Sequence, residues 1–165
     1  MSIIVLLKHG EIQCDETGSP TNHLAPGSCI EAIRMTEAAL GAIPADARFP
    51  RPDILSAPEK EAAITAALIA KIIHVVWAIR AALAEMTDCA KLREFVIECI
   101  VAKQPIIAVS HESTINALVR EFITIGAPYT NRKFGLLARY QGVVIDTEAK
   151  TINVIEAPPF FLFNT

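Results

Sequence analysis

Two histidines stand where apolar runs stop. In "IIVLLKHGE" the run that begins at Ile3 ends in Lys8, His9, Gly10 and Glu11, and in "PIIAVSHES" the run that begins at Pro105 ends in Ser110, His111 and Glu112. An imidazole titrates near neutral pH, so it can act as a nucleophile or carry a proton. Taken singly, each histidine reads as a hydrogen-bonded residue closing a strand. Two of them closing two strands could face each other across one crevice. Glu61 and Glu112 add carboxylates, and imidazoles with carboxylates are also ligand types for a transition metal. Lys8 next to His9 would oppose a cation, so no metal is expected.

The elements that would have to position these residues follow from periodicity. Continuous apolar runs bounded by polar residues are the pattern of strands buried on both faces of a parallel sheet. "IIVLLK" and "PIIAVS" have it, and "DIL" at 53–55 is a shorter example. Between them lie helical patterns at 28–40, 58 to about 76, about 90–103 and 113 to about 125. "LLARYQGVVIDTEAKTINVIEA" reads as two antiparallel strands joined near 148–150. Strand and helix in alternation predict an α/β domain, a three-layer α/β/α sandwich with a mostly parallel central sheet and an antiparallel edge. In such sheets ligands bind beyond the carboxyl ends of the strands, where His9 and His111 fall.

The sequence resembles the histidine phosphatase superfamily, whose fold is phosphoglycerate mutase-like, through four landmarks in order. "LLKHGE" resembles the first-strand motif, usually Arg-His-Gly-Glu, and "LAPGSCIEA" the opening of the first helix. "LSAPEKEAAITAALIA" resembles the segment with Ser-Ser-Pro, Arg-Ala and Thr-Ala, and "IIAVSHESTINALV" the second-histidine motif. The resemblance implies that His9 attacks phosphorus to form a phosphohistidine and that His111 holds the transferring group. It also implies that Glu85, in "LAE", protonates the leaving oxygen, and that no cofactor is needed. The implied substrate is a small phosphomonoester or a phosphorylated side chain.

Lys8, Gly10, Glu61 and Glu112 would line the substrate pocket, and three of them depart from the family pattern. Lys8 stands for an arginine, which keeps the charge and loses the bidentate fork. Glu61 stands where the second arginine is expected, and Glu112 where glycine is usual. At an effective dielectric near 20 and about 4 Å, exchanging an attraction for a repulsion could cost on the order of 8 kcal/mol. Phosphatase activity is therefore expected to be weak or altered. One alternative is a repurposed enzyme that uses the imidazoles with Glu61 or Glu112 for acid–base chemistry on a neutral or cationic substrate. The other is an inactive binding module. For Glu61 a purely structural reading also exists: Ser56-Ala57-Pro58-Glu59 has the form of a capping box, which would place 59–61 in a helix's first turn. His74 and Trp77, in an apolar helical run, are expected to pack rather than ligate.

Composition narrows the rest. The 165 residues fit a single domain spanning 1–165, and 52% hydrophobic residues suffice for a core. A net charge of -3 with scattered basic residues argues against a nucleic-acid surface. The apolar segment 62–86 carries Lys71, His74 and Arg80, so no membrane span is expected. Four cysteines at 14, 29, 89 and 99 show no metal spacing and read as reduced thiols of a cytoplasmic protein. The apolar tail "APPFFLFNT" would permit a homo-oligomer.

Overall fold

The computed structural model describes residues 3–45, 51–102, 104–125 and 141–156. A six-stranded sheet organises them. Its strands are β1 (Ile3–Lys8), β4 (Asp53–Ser56), β5 (Trp77–Ile79), β6 (Ile106–Ser110), β7 (Gln141–Asp146) and β8 (Thr151–Glu156), in the order β5-β4-β6-β1-β7-β8. The pairs β5–β4, β4–β6 and β6–β1 are parallel, whereas β1–β7 and β7–β8 are antiparallel. The antiparallel edge expected from sequence is therefore present. Helices α1 (Pro26–Ala42) and α2 (Lys60–Ile73) pack on each other, as do α3 (Cys89–Val101) and α4 (Glu112–Ile125), and these pairs cover the sheet as the outer layers.

The continuous apolar runs occupy the centre. Ile3–Leu7 of β1 and all of β6 are buried, as strands covered on both faces must be. Helix α4 closes one side through Ile115, Leu118, Val119 and Phe122, a stripe at helical spacing. The core joins these to Ile54, Ile69, Val96 and Val143.

Three features differ from the sequence reading. Helix α2 ends at Ile73 because His74 adopts the left-handed conformation (φ 56°), and the guanidinium of Arg51 caps its last turn by donating to the carbonyls of Ile73 and His74. His74 is consequently exposed rather than packed. Trp77 does pack, but from β5, an edge strand of three residues just past the helical pattern of 58–76. The second difference is a hairpin, β2 (Ile12–Cys14) and β3 (Pro20–Leu24), held by Asp15, which accepts the N–H groups of Thr17 and Ser19 across its turn. Its strands are mostly polar and exposed, so no apolar alternation announces them. The third concerns Ser56, which is the last residue of β4, its hydroxyl donating to the Ala57 carbonyl. Glu59, not Ser56, takes the N-cap position of α2, and its side chain caps nothing. The capping box is thus absent. The first part of the long C-terminal strand pattern and the tail "APPFFLFNT" lie outside the described residues.

Gly142 of β7 faces β1 and α1 at close range. A Cβ there would stand 2.5 Å from Leu7 Cδ2, 3.0 Å from the Leu6 carbonyl oxygen and 3.2 Å from Met35 Cε. Gly142→Ala should therefore destabilise the protein by about 1–3 kcal/mol, the usual cost of overpacking. An unchanged midpoint in urea denaturation would show that the sheet yields freely there.

Candidate active site

The parallel pairing of β1 and β6 sets Lys8 opposite Ser110, so His9 and His111 leave the sheet side by side. The His9 N–H continues the ladder by donating to the Ser110 carbonyl at 3.1 Å. The two rings meet edge to face, with centroids 4.7 Å apart at 64°. That separation lets both rings touch one tetrahedral group.

Each ring is held differently. His9 Nδ1 lies 2.8 Å from the Gly10 carbonyl oxygen. A carbonyl only accepts, so Nδ1 carries the proton and Nε2 keeps its lone pair. Gly10 is fixed in turn, because its N–H donates to Thr65 Oγ1 at 3.0 Å and that hydroxyl donates to the Glu61 carbonyl at 2.7 Å. There is little room for a side chain at Gly10, since a Cβ would stand 3.0 Å from Ser28 Cβ. The next N–H, of Glu11, donates to Ser28 Oγ. His111 is 9% exposed, and its Nε2 lies 3.1 Å from Glu59 Oε2.

An open cavity of about 430 Å³ lies over the rings, lined by Lys8, His9, Glu85, His111, Glu112, Ser113 and Asn116. Five residues singled out from sequence thus come together. Gly10 and Glu61 are not among the lining residues: Gly10 backs the His9 ring, and Glu61 sits half-buried in the first turn of α2. Glu85 reaches the cavity because its loop is tied from β6 and α4. Ser110 Oγ donates to the Leu83 carbonyl at 2.6 Å, Thr114 Oγ1 donates to the Ala84 carbonyl at 3.0 Å, and the Glu85 N–H donates to Glu59 Oε1 at 3.0 Å. Lys8 Nζ is engaged by Glu112 Oε2 at 2.7 Å. Two residues that sequence reasoning passed over therefore matter: Glu59, visible in "PEKE" but read only as helix capping, and Ser110, whose hydroxyl had no sequence signal.

Protonation follows from these surroundings. Burial pushes the His9 imidazole below its ordinary value of 6.5, the Gly10 carbonyl pulls it up, the neighbouring His111 pushes it down, Glu61 pulls up and Lys8 pushes down. Burial wins. Burial would raise the Glu59 carboxyl, but its own N–H, the Glu85 N–H and His111 together hold it below the ordinary 4.5. Both shifts mean that the unfolded chain binds protons more readily. The stability they contribute is complete above 6.5 and 4.5 respectively, and is lost as pH falls through each depressed folded value.

Among the described residues, no helix is long and apolar enough to cross a membrane. No protein-family profile matches the chain. No curated protein matches it either. Solved structures do. The mycobacterial glucosyl-3-phosphoglycerate phosphatase Rv2419c is 15% identical, with 95% of this chain and 99% of that one covered at a TM-score of 0.62. A putative alpha-ribazole-5'-P phosphatase from Escherichia coli is 16% identical, with 96% and 98% covered at 0.63. The protein histidine phosphatase SixA, in complex with tungstate, is 16% identical, with 94% and 97% covered at 0.64. At these identities the likeness is one of fold: the described residues have the phosphoglycerate mutase-like fold of these neighbours.

His9 should titrate with a midpoint below 6.5 in histidine NMR. Removing the Glu61 charge with Glu61→Gln should lower that midpoint further. A midpoint above 6.5 in the native chain would contradict the placement of the ring.

Proposed function

We propose that the protein is a phosphohydrolase that works through a phosphohistidine at His9, on a small phosphomonoester or a phosphorylated side chain. The observation that carries this reading is the state of His9: a ring kept neutral by burial, with its Nδ1 proton on the Gly10 carbonyl and its Nε2 lone pair free. Such an imidazole can attack phosphorus in line. The P–O bond to the leaving group breaks as the N–P bond forms, Glu85 gives the leaving oxygen a proton, and water later takes the phosphoryl group off Nε2. His111, on the same cavity, would bear on the phosphoryl oxygens. The N-terminus of the 14-residue helix α4 begins at Glu112 beside it and offers backbone N–H groups to an anion. The fold neighbours, which are phosphatases by name, agree with this class of reaction.

The binding half of the site is weaker than the bond-making half. Lys8, Glu85 and Glu112 line the cavity, Glu59 touches His111, and Glu61 acts on His9 from behind. Four carboxylates thus surround one ammonium, and that ammonium is already paired. This excess of negative charge supports the second reading, in which the imidazoles move protons on a neutral or cationic substrate with Glu112 as partner. Turnover of a simple phosphate ester separates the two.

An aryl phosphate should be hydrolysed slowly, without added metal, and His9→Ala should remove that turnover; native activity no higher than the variant's would rule the phosphatase reading out. Lys8 and Glu112 form a part-exposed pair worth about 1 kcal/mol, so Glu112→Gln, by freeing the ammonium, should improve kcat/KM for the aryl phosphate roughly fivefold. A fall in kcat/KM would instead assign Glu112 to the substrate.

A further inference from the structure

Among the described residues, two buried side-chain atoms have no hydrogen-bond partner: His111 Nε2 and Glu59 Oε2. They face each other at 3.1 Å, close enough for an ion pair but outside hydrogen-bond angles. Burying two polar atoms with so little compensation is uncommon and calls for a reason. The carboxylate is not free to swing away, because its other oxygen accepts the Glu85 N–H that ties the candidate acid loop. A carboxylate can only accept, so whenever His111 is neutral its one proton belongs on Nε2. Nδ1 is then the ring nitrogen left for a ligand, and in the neutral ring it presents a lone pair that repels a phosphoryl oxygen. Only the imidazolium can hold Glu59 with one N–H and an anion with the other.

We propose that Glu59 is the positioning residue for His111: it keeps the Nε2 proton in place, so that His111 meets a tetrahedral anion only as the imidazolium, through Nδ1–H, and each anion bound brings a proton with it. Charged groups of both signs face the ring. Glu59 at the start of α2 touches it; Glu85 in the loop before α3, Glu112 at the start of α4, and Lys8 and His9 at the end of β1 share its cavity; and Glu61 lies beyond His9. Identifying the anion as a phosphoryl group rests on the reading above, but the dyad itself does not.

Two measurements test it. Inorganic sulfate, a tetrahedral dianion that does not titrate, should bind the full chain with uptake of about one proton at pH 8, followed by pH-stat. Glu59→Gln keeps an oxygen for the Glu85 N–H but turns an amide donor toward His111. It should weaken sulfate binding tenfold or more and reduce the proton uptake toward zero, whereas Glu59→Asp should retain the uptake. In nitrogen-15 histidine NMR, neutral His111 should be the Nε2–H tautomer in the native protein and the Nδ1–H tautomer in Glu59→Gln. No sulfate binding, binding without proton uptake, or a native His111 that is already the Nδ1–H tautomer would overturn the proposal. If Glu59→Gln fails to fold, the native tautomer and the native uptake decide the matter. Neither readout needs turnover, so a failed aryl phosphate assay and a failed dyad are distinguishable.

Discussion

The register between β1 and β6 is the constraint on which the site depends. Lys8 pairs with Ser110, the next N–H on one strand reaches the last carbonyl of the other, and the two imidazoles emerge 4.7 Å apart. A slip of one residue would turn one ring to the opposite face of the sheet and dissolve the pair. Close packing of side chains on both faces of these buried strands resists the slip. The same strand end also fixes the third candidate group, since Ser110 holds the Leu83 carbonyl and Thr114 holds the next one, carrying Glu85 to the cavity rim. His9, His111 and Glu85 are thus referred to one short stretch of ladder.

Around that rigid centre the electrostatics have two halves with different character. The His9 side is ordered: the ring is backed by Gly10, itself seated on Thr65, and burial favours its neutral form. The Lys8 side is self-neutralised, with Lys8 bound by Glu112, while Glu61 acts on His9 from outside the cavity lining. An anion arriving here would have to compete with the Glu112 carboxylate for Lys8.

Much of this was legible in the chain. The two buried strands declare themselves as apolar runs, and the polar residues that end them mark the site because sheet geometry puts ligands beyond carboxyl ends. Helix positions followed from spacing, with boundaries moved by a few residues. What escaped had physical causes. The β2–β3 hairpin is polar and lies on the surface, so burial left no pattern in it. Strand β5 is three residues long and follows a helix ended by a left-handed histidine, a conformation that composition does not signal. Glu59 carries the same local pattern whether it caps a helix or reaches across to His111. Only the approach of α2 to the end of β6 separates those possibilities, and that approach is tertiary.

The most direct test of the central claim is chemical capture of the intermediate. The protein would be mixed with a phosphorus-32-labelled phosphomonoester, quenched in alkali to preserve phosphohistidine, and the label mapped by peptide analysis. Label on the peptide that contains His9, stable to alkali and lost in acid, is the expected result. Release of inorganic phosphate with no label on that peptide, or label carried elsewhere in the chain, would contradict it.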